Sequence, residues 1–221
     1  MTFGINAPNG LVPVNTGNGA AWNQQANWYP IGTTASQSLF KGDAVTLSTA
    51  GTVIRATAST ASLGVLDQVS FQVTTSPEKF TWSFYPGGTG GVANLVSGSQ
   101  PMAYVIDDPN AVFTVQETAT TQAAGSASGT PLTQAAVGNN CDLLYIAGST
   151  LTGISSVSLN NAASSTGLLS NMKIVGLDQR VTLGVTGDVG TPGGTLTAGT
   201  AFQNWLVQFN NHIYKAGSTR P

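Results

Sequence analysis

Charge is what this sequence has least of. Seven Lys and Arg and nine Asp and Glu make up 7% of 221 residues and leave a net charge of -2, where an ordinary globular chain carries about 25% charged residues. Seven cations spread over this length form no basic patch. That excludes the clustered Lys and Arg that hold a phosphate backbone, so no nucleic-acid partner is expected. The single cysteine, Cys141, excludes an internal disulfide framework and a cysteine-based zinc site. The single histidine, His212, excludes multi-histidine metal centres and the two-His metalloprotease helix. No apolar run approaches the ~18 residues that span a bilayer. Leu143–Ala147 is among the longest, and no membrane partner is expected. The first cation is Lys41, so no basic region precedes an apolar stretch and no secretory signal is expected.

Hydrophobic residues amount to 41%, enough for a real core in one large domain or two small ones. With so few ions, the surface must be wetted by Ser, Thr, Asn and Gln. Net charge is a main source of solubility, and a neutral surface resists association poorly. Two readings follow: a β-rich domain with neutral decoration, or a subunit packed into an assembly, where interface charge is unfavourable. The strength of the depletion favours the second.

Residues 1–38 carry no charge and are rich in Gly, Asn, Gln and Pro. They are expected as an extended N-terminal arm, either tucked against the body or docked on a neighbour. Its aromatics Trp22, Trp28 and Tyr29, with Pro30, are the candidate interface residues, because aromatics dominate binding hot spots. From Leu39 the pattern becomes β. Val45 and Leu47, the Ala50-Gly51 turn and Thr52–Ala56 predict a hairpin. Leu63, Val65, Val69, Phe71 and Val73 are expected on one strand face, interrupted by Asp67, at period 2. Phe80, Trp82 and Phe84 line the next strand, broken by Pro86-Gly87-Gly88. Met102–Ile106 and Ala111–Gln116 flank an Asp107-Asp108-Pro109-Asn110 turn. Residues 118–131 read as a long loop. Further strands are expected at Asp142–Ala147, Val157–Leu159, Leu168–Val175, Val181–Val185 and Trp205–Tyr214. Many short strands between turn signals predict an all-β fold, a β-barrel or β-sandwich body of antiparallel strands. A soft boundary near Gln100 divides a barrel-like unit, 39–100, from a sandwich-like unit, 101–221.

Signals for chemistry are weak. Gly125-Ser126-Ala127-Ser128-Gly129 has Ala where a nucleophile elbow needs Ser. Gly87–Gly91 lacks the Lys-Ser/Thr ending of a phosphate loop. Asp107 and Asp108 are adjacent carboxylates, yet calcium-loop spacing is missing, so a capping turn is the better reading. His212 lies on the polar face of the last predicted strand and reads as a hydrogen-bonding residue rather than a general base. Cys141 has no basic neighbour and reads as a small buried hydrophobe. Phe80, Trp82 and Tyr85 beside the Gly loop offer a sugar-stacking platform, although aromatics at strand spacing are more often core. No catalytic residue, metal or cofactor is expected.

Three groups of segments resemble a known family. Leu39–Val45, Gly51–Arg55 and Leu63–Leu66 resemble small β-barrel proteins that decorate the heads of tailed bacteriophages. Ala103–Gln116 is similar to a pattern common in phage virion structural proteins, as are Met172–Leu177 and Trp205–His212. The resemblance covers about half the chain, mostly its strands, and excludes the N-terminal segment. It implies a non-enzymatic capsid decoration, or cement, protein: a homotrimer on the outer capsid surface that bridges neighbouring subunits of the major capsid protein. It also implies assembly in the host cytoplasm and residence in the virion. It carries over no functional residue. The alternative is a carbohydrate-binding fibre or adhesin domain of a virion. A polysaccharide hydrolase is a third reading, but nothing selects the pair of acids it needs.

Overall fold

Period-2 patterning and frequent turn residues give short strands that can bury a face only by pairing and closing on themselves. The computed structural model describes residues 7–32, 37–58, 60–75, 78–87, 95–118, 132–161, 170–178 and 203–215. In chain order the strands are β1 (Val12–Thr16), β2 (Asn27–Pro30), β3 (Leu39–Phe40), β4 (Ala44–Leu47), β5 (Val53–Arg55), β6 (Gly64–Gln72), β7 (Lys79–Trp82) and β8 (Phe84–Tyr85). They continue with β9 (Met102–Ile106), β10 (Ala111–Thr118), β11 (Asn140–Cys141), β12 (Leu143–Leu144), β13 (Ser158–Asn160), β14 (Met172–Leu177) and β15 (Asn204–Phe209). The fold is all-β; the one helical turn among the described residues is a 3-10 turn at Gln134–Ala136. The predicted Val181–Val185 strand, the first two residues of the predicted Leu168–Val175 strand, most of the 118–131 loop and residues 88–91 lie outside the described residues.

The first sheet runs β2-β9-β6-β4-β5, with β7 also paired to β6. Ile31, just past β2, bridges Val53 of β5, so the sheet closes almost completely into a barrel. Closure removes the open edges that an antiparallel sheet otherwise exposes. The interior is filled by Ile31, Val45, Val53, Leu66, Val69, Phe71 and Val105, with Leu39 and Tyr85 of the small β3–β8 pair joining the same core. The second sheet runs β11-β14-β15-β10-β13-β12, with β1 paired to β10. Its inward face, Phe113, Val115, Trp205, Val207, Phe209 and Ile174, packs in one core with Ala44, Val65 and Ile106 from the outside of the barrel wall. The barrel and the second sheet therefore share a wall.

That sharing explains a departure from simple alternation. Val65 and Leu66 are neighbours on β6, yet Val65 belongs to the inter-sheet core and Leu66 to the barrel interior. The pairing of β6 with β9 shifts register between Leu66 and Gln68. A bulge at Asp67 re-phases the strand, so Leu66, Val69 and Phe71 point inward together while Val65 points out. The expected common face of Val65, Val69 and Phe71 is corrected accordingly. Asp67, turned out by the bulge, pairs with Lys41 at 2.7 Å, an exposed bridge worth well under about 1 kcal/mol. Gly64 is required here: a Cβ would collide with the Ile106 carbonyl across the ladder.

Within the segment read as an extended arm, β1 pairs with β10 and β2 with β9. The ladders satisfy backbone donors that a free arm would leave to water. Residues 1–6 lie outside the described residues. The boundary expected near Gln100 does not coincide with a division between sheets, because β9 lies beyond it in sequence yet sits in the barrel between β2 and β6.

Candidate functional site

The four candidate interface residues are not gathered on one surface. Trp22 is half-buried against the inter-sheet core. Trp28 and Tyr29 are adjacent in β2 and so point to opposite faces. Trp28 projects outward, 47% exposed, with its ring centroid 4.8 Å from that of Tyr104, its cross-strand partner. Tyr29 packs against the barrel interior, and its hydroxyl donates to Asp107 Oδ2 at 2.5 Å and lies 3.0 Å from the Tyr214 hydroxyl. Burial and the Asp107 contact push the Tyr29 phenol well above its ordinary value. Pro30 is half-buried and faces Met102.

Asp107 is a structural hub. Asn27 Nδ2 donates to both of its oxygens, at 3.0 and 2.9 Å. Asp108 forms the expected turn, accepting from the Asn110 amide at 2.8 Å. No group of three or more His, Cys, Asp or Glu among the described residues is placed to hold a metal ion.

His212 departs from its expected position. β15 ends at Phe209, and the chain then turns His212 into the protein, where it is fully buried between Phe209 and Tyr214. The Tyr214 amide donates to its Nδ1 at 3.1 Å, so the imidazole is neutral with the proton on Nε2. Burial lowers its pKa to about 4, which is unsuited to general-base work near neutral pH. Cys141 is buried as expected, and burial raises its thiol to about 12. Glu117, unremarked in the sequence, is fully buried at the end of β10. Its Oε2 accepts from the Leu132 amide at 2.8 Å, and burial raises its pKa to about 7.

The sugar-platform residues separate as well. Tyr85 is buried in the barrel, while Trp82 is 45% exposed at the end of β7. The strand expected through Phe80, Trp82 and Phe84 breaks at Ser83, and Phe84 pairs with Phe40 instead. Rings of Phe40, Phe84, Trp82 and Phe80 follow one another with centroids 5.7, 5.8 and 6.3 Å apart. The turn at Gly148–Ile154 lies on this ribbon, with Gly148 against Phe40 and Gly153 against Ser83. Gly153 approaches Ser83 so closely that a Cβ would collide with its hydroxyl, and φ there is +70°. Only glycine meets both demands. The turn holds Leu151 out at 94% exposure and Ile154 at 40%. Ile154 also lines a small cleft of about 110 Å³ with Leu11, Val12, Pro13 and Leu66. Gly153 packs this turn against Phe84, whose ring neighbours Trp82, so exposed Trp82, Ile154 and Leu151 are carried on one adjoining apolar stretch of surface, the ridge, with Leu151 projecting from it. Sequence reasoning missed Leu151 and Ile154, which sit in a stretch without strand-length alternation.

No known protein family, characterised protein or solved structure matches this chain. What the described surface offers chemically is mainly apolar contact and neutral hydrogen bonding, arranged on a nearly closed barrel.

Proposed function

We propose that this chain is a capsid decoration protein: a virion structural subunit, acting without catalysis, that lies on the outer surface of a phage head and bridges neighbouring major capsid protein subunits as a homotrimer. The observation that carries the reading is the apolar ridge. A large apolar side chain at 94% exposure gains nothing for the isolated chain and contributes strongly once a partner covers it. A net charge of -2 over 221 residues adds little repulsion to close packing on a shell. The resemblance of the barrel segments to head-decoration proteins supports the same reading. The mechanism is area: several copies each bury a modest patch, and linked contacts multiply the hold.

Deleting residues 1–30 would remove both β1 and β2, so point variants make the cleaner test. Undecorated capsids of the parent phage, titrated with Leu151→Asp, are expected to need roughly tenfold or more protein for half-saturation. Trp28→Ala is expected to saturate them as the parent does. If Leu151→Asp and Trp82→Ala both decorate at the parent concentration, the ridge is not the attachment surface. If the parent protein itself fails to decorate, the functional reading fails.

A further inference from the structure

We propose that the outer barrel wall around Trp28 and Tyr104 is a binding site for neutral oligosaccharides, independent of the apolar ridge. The two rings, Trp28 exposed and Tyr104 half-buried, are inclined at 36°, a shallow splayed platform. The C–H face of a hexose is flat and apolar and packs on such a ring, while its hydroxyls need partners at the rim. The rim supplies them. Asn23, Gln24 and Gln25, the residues that lead into β2, are all exposed, and the Gln24 carbonyl lies beside the Tyr104 hydroxyl. A side-chain amide donates and accepts at once, which matches the dual character of a sugar hydroxyl.

Two features show that the platform is built rather than incidental. Gln24 has φ +65°, the only positive φ at a non-glycine among the described residues. Such strain persists where surroundings enforce it and clusters at ligand sites. Its carbonyl lies 3.5 Å from the Tyr104 hydroxyl, and the Gln25 amide donates to Asn23 Oδ1 at 3.2 Å, which fixes the loop. Beneath the platform, Asn27 is anchored on Asp107, which Tyr29 also holds. The strand that carries Trp28 is therefore locked on its inner side.

Charge decides the occupant. No charged side chain occurs before Lys41, and the charged group bonded to this strand, on Asn27, is the Asp107 carboxylate, so the amide strip offers no counter-charge to a phosphate or an acidic glycan. A protein partner would have to desolvate the amides of Asn23, Gln24 and Gln25 at once, which is unfavourable unless each is paired. Hydroxyl-rich neutral sugar pairs them naturally.

The test is titration of the full chain with maltohexaose, cellohexaose and chitohexaose, followed by tryptophan emission and calorimetry. At least one is expected to bind with Kd of about 1 mM or tighter and to shift the emission. Trp28→Ala and Tyr104→Ala should weaken that binding roughly tenfold or more, Trp28→Tyr should restore part of it, and Trp82→Ala should leave it unchanged. Unaltered melting of the variants shows that the barrel is intact. The proposal is overturned if none of the three sugars gives heat or an emission shift at about 10 mM, far above any useful affinity. It is equally overturned if both platform variants bind as the parent does, or if only a charged hexasaccharide such as hexagalacturonate binds.

Discussion

Glu117→Gln is expected to make the protein more stable at pH 8 than the parent, with the advantage disappearing toward pH 4. Glu117 is fully buried at the end of β10, where the chain leaves the second sheet, and its carboxylate takes the amide of Leu132 at the point of return. Burial penalises the charged form and raises the pKa from 4.5 to about 7; the Leu132 and Gln203 amides and the Trp205 indole pull the other way without prevailing. A folded-state pKa above the unfolded one means that the folded protein holds its proton longer. The stability supplied by the neutral carboxyl is fully present below about pH 4.5 and is lost as pH rises through 7. The loss amounts to about 3 kcal/mol, or roughly 6–12 °C in melting temperature for a chain of this size. Glutamine keeps an acceptor for Leu132 and never ionises. Any misfit of its extra amide proton shifts the whole curve, so the pH slope carries the test. Asp43 is also buried with a raised pKa, accepting from Phe40 and Ser155, and leaves some slope of the same sign in the variant. Thermal melts of parent and variant from pH 4 to 8 decide the matter: parallel curves would mean that Glu117 stays neutral throughout or is solvated when charged.

Glu117 also shows where sequence reading stops. β10 was legible as a strand because Ala111, Phe113 and Val115 alternate with Val112, Thr114 and Gln116. Its burial on both sides was not, since Gln116, Glu117 and Thr118 look like a polar exit from the sheet. They are buried because β13 and β15 lie on either side of the end of β10, and no local pattern announces a parallel partner some forty residues later. The β4–β5 hairpin and β9 were readable because turn chemistry and alternation are local. The Asp67 bulge was visible only as an interruption. Its consequence, Val65 and Leu66 serving two different cores, needs a second sheet packed on the outside of the barrel.

The candidate surfaces divide in the same way. Trp28 was found because a large aromatic in an uncharged segment is conspicuous. Tyr104 was not, because it sits in the clean alternation of β9, where residues 103 and 105 are core and 104 was simply the outward position. Only the pairing of β2 with β9 brings the two rings together. Likewise Phe80, Trp82 and Phe84 look equivalent at period 2. The break at Ser83 gives Phe84 to the β3–β8 pair and leaves Trp82 at the surface.

His212 is expected to act on stability with the opposite sign to Glu117. It is bridged to Ser62 and packed between the tilted rings of Phe209 and Tyr214. Burial is the main cause of its low pKa; Lys215 adds to the lowering, while the Leu63 backbone, Asp107 and Asp108 oppose it. With a folded-state pKa of about 4 against an ordinary 6.5, the unfolded chain takes up the proton first. Stability is therefore full above about pH 6.5 and falls by about 3 kcal/mol as pH drops through 4. Protonation would also abolish the acceptor that Nδ1 offers to the Tyr214 amide. The two groups titrate across overlapping windows in opposite senses, so the parent should show a shallow profile between pH 4.5 and 6.5. Each single variant should unmask the other group. His212→Gln, which cannot become cationic, should lose the acid-side fall and become steadily less stable as pH rises. Glu117→Gln should show the acid-side fall in full. In the double variant both slopes should largely vanish, because Glu117 is held by the Leu132 amide and His212 by the Tyr214 amide, and effects of separate sites add. A double variant that loses stability on the acid side as steeply as Glu117→Gln would place that loss in other carboxylates and remove His212 from the account.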